Sequence, residues 1–487
     1  MLSSDFTFTT KRGWLGLPVL FFSRTRCLSG FFLLVFLACK APVSPSEKVE
    51  IVPYAAEEVQ RRTFNYFWEL ADTSIYQIPD RYPNLTFSSI AATGFGLSAY
   101  IVGVEKKYIT REQAAARVLR TLHALWNLPQ GPEKENISGY KGFFYHFLTL
   151  DKAHRFKTVE LSSIDTGLLM AGILSAMSYF DQANEMEKAI RETADQLFRR
   201  VEWDWMMNPE NRMWMGWHPE DVATNNNGFI PSEWKGYNEA MVLLIMAMGS
   251  PTHPIAPEAW STWCSSYPWA AFKGQENVQF DPLFGHQYSH VWIDFRGIQD
   301  DYMRGKGMDY FENSRRATLS NRAYCIENPL GAKGYGENCW GLTACDGPGG
   351  GKKNVDGKEW DFFDYRARGA CSLQIVDDGT IAPAAAGGSY PFVPDLCDAA
   401  LKNMWETYYP DLVGEYGFKD AFNLTYVDEK NPKGWFDVDY LGIDQGPILL
   451  MMENHRSGLI WNVMKKNPYI VAGLKKAGFT GGWIEGR

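Results

Sequence analysis

The residues best suited to do chemistry in this 487-residue chain are carboxylates at the starts of apolar segments. Asp165, Glu239 and Asp444 each stand where a polar stretch gives way to a nearly uncharged run. Glu160 lies just ahead of Asp165, and Glu233 just ahead of Glu239. Two carboxyl groups held close in a partly dry cavity do not ionise equally, so one keeps its proton near neutral pH. Hydrolysis of an acetal needs that asymmetry: one acid for the leaving oxygen, and a second carboxylate as base or nucleophile. Acids are also favoured at any helix start, by free N–H groups and the helix dipole. Three at equivalent positions weigh against that plainer reading, although spacing does not show which pairs meet.

Other clusters carry weaker signals. Asp300-Asp301 and Asp437/Asp439 are further candidates, but neighbouring acids are more often solvated loop or calcium-ligand residues, and no EF-hand loop is present. His286-Gln287-Tyr288-Ser289-His290 has two imidazoles and no placed third ligand; polar lining of a cleft accounts for it as well. Gly347 to Lys353 lacks the Walker spacing, and no serine nucleophile elbow occurs. Six of the eight cysteines lie beyond Cys39 without zinc spacing. Cys339 and Cys345 fit either a disulfide or two reduced, buried thiols. No metal site is expected.

The elements that must position these acids read as helices almost throughout. Ala55 to Ala71, Thr110 to about Leu128, Asp181 to Val201, Met308 to Ile326, Pro394 to Tyr408 and His455 to Lys466 read as outer helices with one apolar stripe. Thr93 to Val104, Ile164 to Tyr179, Asn238 to Met248 and Ile443 to Met452 are apolar nearly all round, as buried helices are. Ser88-Ser89-Ile90-Ala91-Ala92-Thr93-Gly94 is echoed by Ser162-Ser163-Ile164-Asp165-Thr166-Gly167, each leading into a buried helix. Amphipathic helices alternating with buried ones predict an all-α fold, an (α/α)6 barrel with a double ring of helices. Its inner N-termini would gather at one end. The long connections Trp203 to Glu233 and Gly331 to Gly388 would line the site there. They include aromatic-rich stretches such as Trp214-Met215-Gly216-Trp217, which suit flat apolar ligand faces or an aromatic core equally.

Net charge is −9, and removing residues 1–39 leaves about −12. An acidic chain without a basic stripe does not suit nucleic acid. Lys11, Arg12, Arg24 and Arg26 precede the apolar run Phe31 to Ala38, which is too short to span a bilayer and ends at Cys39. The expected organisation is an export signal over 1–39, a linker over 40–52 and a single catalytic domain over 53–480. Leu37-Ala38-Cys39 resembles a lipoprotein cleavage site, with Phe36 where Leu is more usual. Lipidated Cys39 would attach the protein to a membrane, placing it in the periplasm or on the outer membrane of a Gram-negative bacterium. A monomer is expected.

Taken together, five motifs resemble the bacterial glucoamylase-like domain. They are Glu160 to Leu169, Ser232-Glu233-Trp234-Lys235-Gly236-Tyr237-Asn238-Glu239-Ala240, His286 to Asp294, Tyr335-Gly336-Glu337-Asn338-Cys339-Trp340-Gly341-Leu342-Thr343-Ala344, and Tyr440 to Pro447. More narrowly the chain is similar to glycoside hydrolase family 144, over about residues 50 to 480. The resemblance implies an (α/α)6 barrel and inverting, cofactor-free cleavage of β-1,2-glucosidic bonds in linear β-1,2-glucan. The action would be endo, or alternatively exo with release of sophorose. It makes Glu239 the general acid, with Asp165 and Glu160 as the other essential acids and the base unassigned. Glu233, Trp234, Tyr237, His286, Tyr335, Glu337, Trp340 and Asp444 are the expected substrate-binding residues. The rivals are a polysaccharide lyase, which would want cations near a uronate, and a non-catalytic glycan-binding lipoprotein, which would not need these acids.

Overall fold

Uncharged, small-residue-rich segments form the inner layer of the fold and charged amphipathic ones its outer layer. In the computed structural model, which describes residues 52–223 and 226–486, the helices run α1 (Ala56–Glu69), α2 (Ile90–Glu105), α3 (Arg111–Asn127), α4 (Ser163–Tyr179), α5 (Glu185–Arg200), α6 (Ala240–Gly249), α7 (Glu258–Cys264) and α8 (Tyr288–Trp292). They continue as α9 (Asp301–Lys306), α10 (Tyr310–Glu327), α11 (Pro383–Gly388), α12 (Pro394–Tyr408), α13 (Gly442–Ser457), α14 (Leu459–Met464) and α15 (Pro468–Lys476). The export signal and Cys39 lie outside the described residues. The described chain belongs to one unit, Glu50–Arg487.

Helices α2, α4, α6, α8, α11 and α13 make the inner ring. α2 packs on α4, α4 on α6, α6 on α8, α11 on α13, and α13 back on α2. The α8–α11 step is carried by Gln287, whose Nε2 donates to the Ala385 carbonyl at 2.8 Å. Around them α1 wedges against α13 and α2, α3 and α5 cover α2 and α4, α12 covers α11, and α15 covers α6. This is an α/α toroid. Residues Ile90 to Gly103 of α2 are buried without exception. Backbones approach so closely between α2 and α4 that only glycine fits: a Cβ on Gly94 would lie 2.3 Å from the Leu168 carbonyl oxygen. A Cβ on Gly172 would lie 2.0 Å from the Gly94 oxygen.

The echoed Ser-Ser segments are a shared lead-in. Strand Ser88–Ser89 and strand Leu161–Ser162 each end in a serine whose side chain caps the next helix, Ser89 accepting from Ala92 N and Ser162 from Asp165 N. Strand Tyr440–Leu441 also leads directly into α13, without a side-chain cap, and pairs with Arg81–Tyr82. Short hairpins from the connections thus pair with the lead-in strands and bring side chains over the inner N-termini.

Two expectations need correction. His455 to Lys466 is not one helix: Gly458, at φ 67° and ψ 22°, breaks it into the end of α13 and α14. The inner ring also uses α8 and α11, read from sequence as a histidine motif and as part of a long connection. At five and six residues they are too short to show a period. The six described cysteines are unpaired and buried, so Cys339 and Cys345 are separate thiols.

Candidate active site

Segment 143–148 sets the first half of the site. Phe144 and Tyr145 pair with Ser162 and Leu161, while Phe147 and Leu148 pair with Ser89 and Ser88. His146, between the two pairings, is therefore fixed over the starts of α2 and α4, its N–H bonded to the Glu160 carbonyl at 3.0 Å. Its Nδ1 donates to Glu160 Oε1 at 2.8 Å, and its Nε2 lies 3.4 Å from Asp165 Oδ1. Burial works against the imidazolium, but Asp165 and Glu160 outweigh it and raise the His146 pKa to about 9. Burial likewise opposes charge on Glu160, yet the imidazolium holds its carboxyl below the usual range. Asp165, deeper, is pushed up by burial despite His146 and a 2.5 Å bond donated by Ser162 Oγ.

Glu239 immediately precedes α6 and is 8% exposed. Its Oε2 is buried without a hydrogen-bond partner. Burial, with the Asp165 charge adding to it, raises its pKa from 4.5 to about 7. The structure thus places a carboxyl that keeps its proton near neutrality within electrostatic reach of Asp165, one of two acids paired to an imidazolium. That is the division of labour acetal hydrolysis requires.

A second acidic group gathers at the start of α13. Arg81 donates to Asp346 Oδ2 at 2.6 Å and to Asp80 Oδ2 at 3.1 Å, and lies 3.7 Å from Asp439. The Asp346 N–H donates to Asp420 Oδ2 at 2.7 Å. Asp420 and Asp444 meet: burial and the Asp444 charge push Asp420 well above the carboxylate range. Burial raises Asp444 to about 7 against the opposing bond from Asp420, and the two carboxyls titrate as a pair. Burial, then Asp420 and Asp346, raise Asp437 to about 8. Tyr288, opening α8, lies within electrostatic reach of Asp444, Glu239 and Asp165, members of both groups.

The expected residues separate cleanly on this map. Glu160, Asp165 and Glu239 come together, and Asp444 anchors the second group. Trp234 is buried beside them, its Nε1 donating to Ser163 Oγ at 2.9 Å. Glu233 is instead tied to Arg212 at 3.1 Å and to Asn208 Nδ2 at 3.1 Å. Tyr237 and His286 lie in the core, with ring centroids 4.8 Å apart. Burial drives His286 down to about 4, which keeps it neutral. Trp340 has no exposed surface. Tyr335 donates to Asp377 at 2.6 Å, and Glu337 points to solvent. None of these last five residues has a hydrogen bond to either acidic group. Asp300 is structural: it caps α9 and accepts from Trp260 Nε1 and the Tyr310 hydroxyl.

Sequence reasoning missed His146, Arg81, Asp80, Asp346 and Asp420. A lone imidazole inside Phe143-Phe144-Tyr145-His146-Phe147 was a usable signal; the isolated aspartates offered none. At the opposite mouth, where α2, α4 and α13 end, a hollow of about 320 Å³ is lined by charged residues such as Glu105, Arg111, Glu453 and Arg456. Glu453 there is bonded to Arg456, so the lining is ion-paired rather than poised for proton transfer.

Comparison with known proteins agrees with this fold. The Glycoamylase family model, which describes glucoamylases, matches residues 231–468. A solved glucoamylase-type structure from Bacteroides uniformis is 33% identical with a TM-score of 0.75, covering 89% of this chain and 99% of that one. An endo-β-1,2-glucanase from Chitinophaga pinensis, solved with sophorotriose and glucose, is 30% identical with a TM-score of 0.74, covering 88% of this chain and 100% of that one. An exo β-1,2-glucooligosaccharide sophorohydrolase from Parabacteroides distasonis is 31% identical over 452 residues; the match takes in 86% of this chain and spans 57% of that protein's length. With its toroid, its paired acids and full coverage of solved relatives at 30% identity or more, the chain belongs to the glucoamylase-like glycoside hydrolases of the family 144 type.

Proposed function

We propose that the protein hydrolyses β-1,2-glucosidic bonds of linear β-1,2-glucan, with inversion and endo action. The observation that carries this reading is the Glu239 carboxyl, protonated near neutral pH, with an unpartnered oxygen close to Asp165. Glu239 donates its proton to the glycosidic oxygen. Water arriving on the other face of the sugar is deprotonated by a carboxylate. Glu160, held anionic by His146, is the member of the first group in the right state for that, and Asp165 shares the imidazolium with it. An inverting pair stands roughly 6.5–9.5 Å apart to admit the water. No cofactor enters this scheme.

Endo action is supported by the match to the whole of the Chitinophaga endo-enzyme chain. The Parabacteroides sophorohydrolase favours exo action instead. Chromatography of early products from linear β-1,2-glucan separates the two. A ladder of oligosaccharides supports endo cleavage, and sophorose alone from the first minutes replaces it with the exo reading. Cleavage of some other glucan with none here rejects the substrate. Export with lipidation at Cys39 remains part of the proposal; mass spectrometry of the mature N-terminus tests it.

A further inference from the structure

The second acidic group gathers more carboxyl groups than there are cations bonded to it among the described residues. Carboxylate oxygens of Asp346, Asp437 and Asp439 lie within 4.8 Å of one another. They arrive from separate parts of the chain. Asp346 follows strand Ala344–Cys345, whereas Asp437 and Asp439 sit between strands Trp435–Phe436 and Tyr440–Leu441. A third connection, between α1 and α2, supplies Arg81 and also Asn84, whose N and Nδ2 donate to the two Asp439 oxygens at 3.0 Å each.

Following each oxygen shows which are left over. Asp437 Oδ1 accepts from the N–H groups of Val438 and Asp439, while its Oδ2 is buried without a partner. Asp420, 1% exposed, uses Oδ2 on the Asp346 N–H and also meets the Asp444 carboxyl. Arg81 is the cation bonded to the group. Lys419, the nearest lysine in sequence, donates to the Asp411 carbonyl at 2.7 Å and reaches Asp437 only through its charge. Buried carboxylate oxygens without donors are costly unless a cation faces them.

We propose that this group binds a divalent cation of the calcium type, with Asp346, Asp437 and Asp439 as its protein ligands. The donors are all oxygen, the set a hard cation takes. Oxygens sharing a Ca²⁺ at about 2.4 Å lie no more than about 5 Å apart, which the three carboxylates satisfy. The ion's role is structural. It ties three connections together above the starts of α2 and α13 and takes no part in the proton transfers assigned to Glu239 and Glu160.

The test does not depend on hydrolysis. The mature protein is stripped with EDTA, moved to metal-free buffer and melted with and without CaCl2, and calcium is counted by elemental analysis after desalting. The expected result is one equivalent of calcium and a Tm rise of roughly 3 °C or more at saturating ion, with a smaller effect from MgCl2. The rise should disappear in Asp439→Asn. No retained calcium and no Tm change in the wild-type protein overturns the proposal. A calcium response that survives in both Asp437→Asn and Asp439→Asn also overturns it, because the ion then sits elsewhere. Loss of glucan cleavage with calcium binding intact would count against the enzymatic reading alone.

Discussion

Replacing Glu239 by Gln should make the protein more stable and almost inactive, and the stability gain should depend on pH. Burial raises the Glu239 pKa from 4.5 to about 7. At 1.36 kcal/mol per pKa unit this opposes ionisation in the folded protein by about 3 kcal/mol. Below about pH 4.5 the carboxyl is protonated in both folded and unfolded chains and costs nothing. As pH rises through the window to about 7, the unfolded chain ionises first and folding stability falls. Above about 7 the loss is complete and constant. Glutamine cannot ionise and keeps nearly the same shape. Urea denaturation should therefore show Glu239→Gln more stable than wild type by about 3 kcal/mol at pH 8, with the difference closing towards pH 4.5. Hydrolysis of β-1,2-glucan should fall by roughly 10²–10⁴-fold, the usual loss when a general acid is removed. A variant no more stable than wild type at pH 8 would refute the buried-acid reasoning. Near-normal turnover by a well-folded variant would refute the assignment of Glu239 as acid.

His146 gives a dependence of a different kind. Its folded pKa of about 9 lies above its ordinary 6.5, so its contribution is full below about 6.5 and lost as pH rises through about 9. His146→Gln should flatten that part of the stability curve, by about 2 kcal/mol after solvent screening, when urea midpoints at pH 6 and 9.5 are compared. Gly94→Ala drives a methyl group into the Leu168 carbonyl and should cost about 3 kcal/mol or more, or prevent folding. Gly305→Ala in α9, where a Cβ meets nothing within 4 Å, should be neutral or slightly stabilising, and paired melting curves decide both. Glu233→Gln breaks a quarter-exposed pair with Arg212 and should leave kcat on β-1,2-glucan near wild type, with at most about 1 kcal/mol of stability lost.

The fold was legible wherever a helix is long enough to show a pattern. The buried segments at 93–104, 164–179, 238–248 and 443–452 are all inner helices, and the Thr110 start is a full capping box with Gln113. The two unread inner helices, Tyr288–Trp292 and Pro383–Gly388, are single turns or little more, where periodicity has no length in which to appear. The site divides in the same way. Asp165, Glu239 and Asp444 could be singled out as candidates because a helix start is a local feature. His146, Asp346 and Asp420 act through strand pairing across tens to hundreds of residues, which no local window contains. Tyr237, His286 and Trp340 show the opposite difficulty: a polar or aromatic residue in a distinctive motif looks the same in sequence whether it faces a ligand or the core.

The wedge position of α1 has a consequence for how the chain reaches this state. α1 is the first described helix, yet its neighbours are α2 and the far α13, and Gln60 bonds Glu453 across 393 residues. Its aromatic face, including Tyr66 and Phe67, therefore stays partly uncovered until α13, in the last tenth of the chain, is available. Ring closure is a late, long-range event, of the kind that slows folding and leaves apolar surface exposed meanwhile. A chaperone that shields the first helix would act for nearly the whole time the chain is being made.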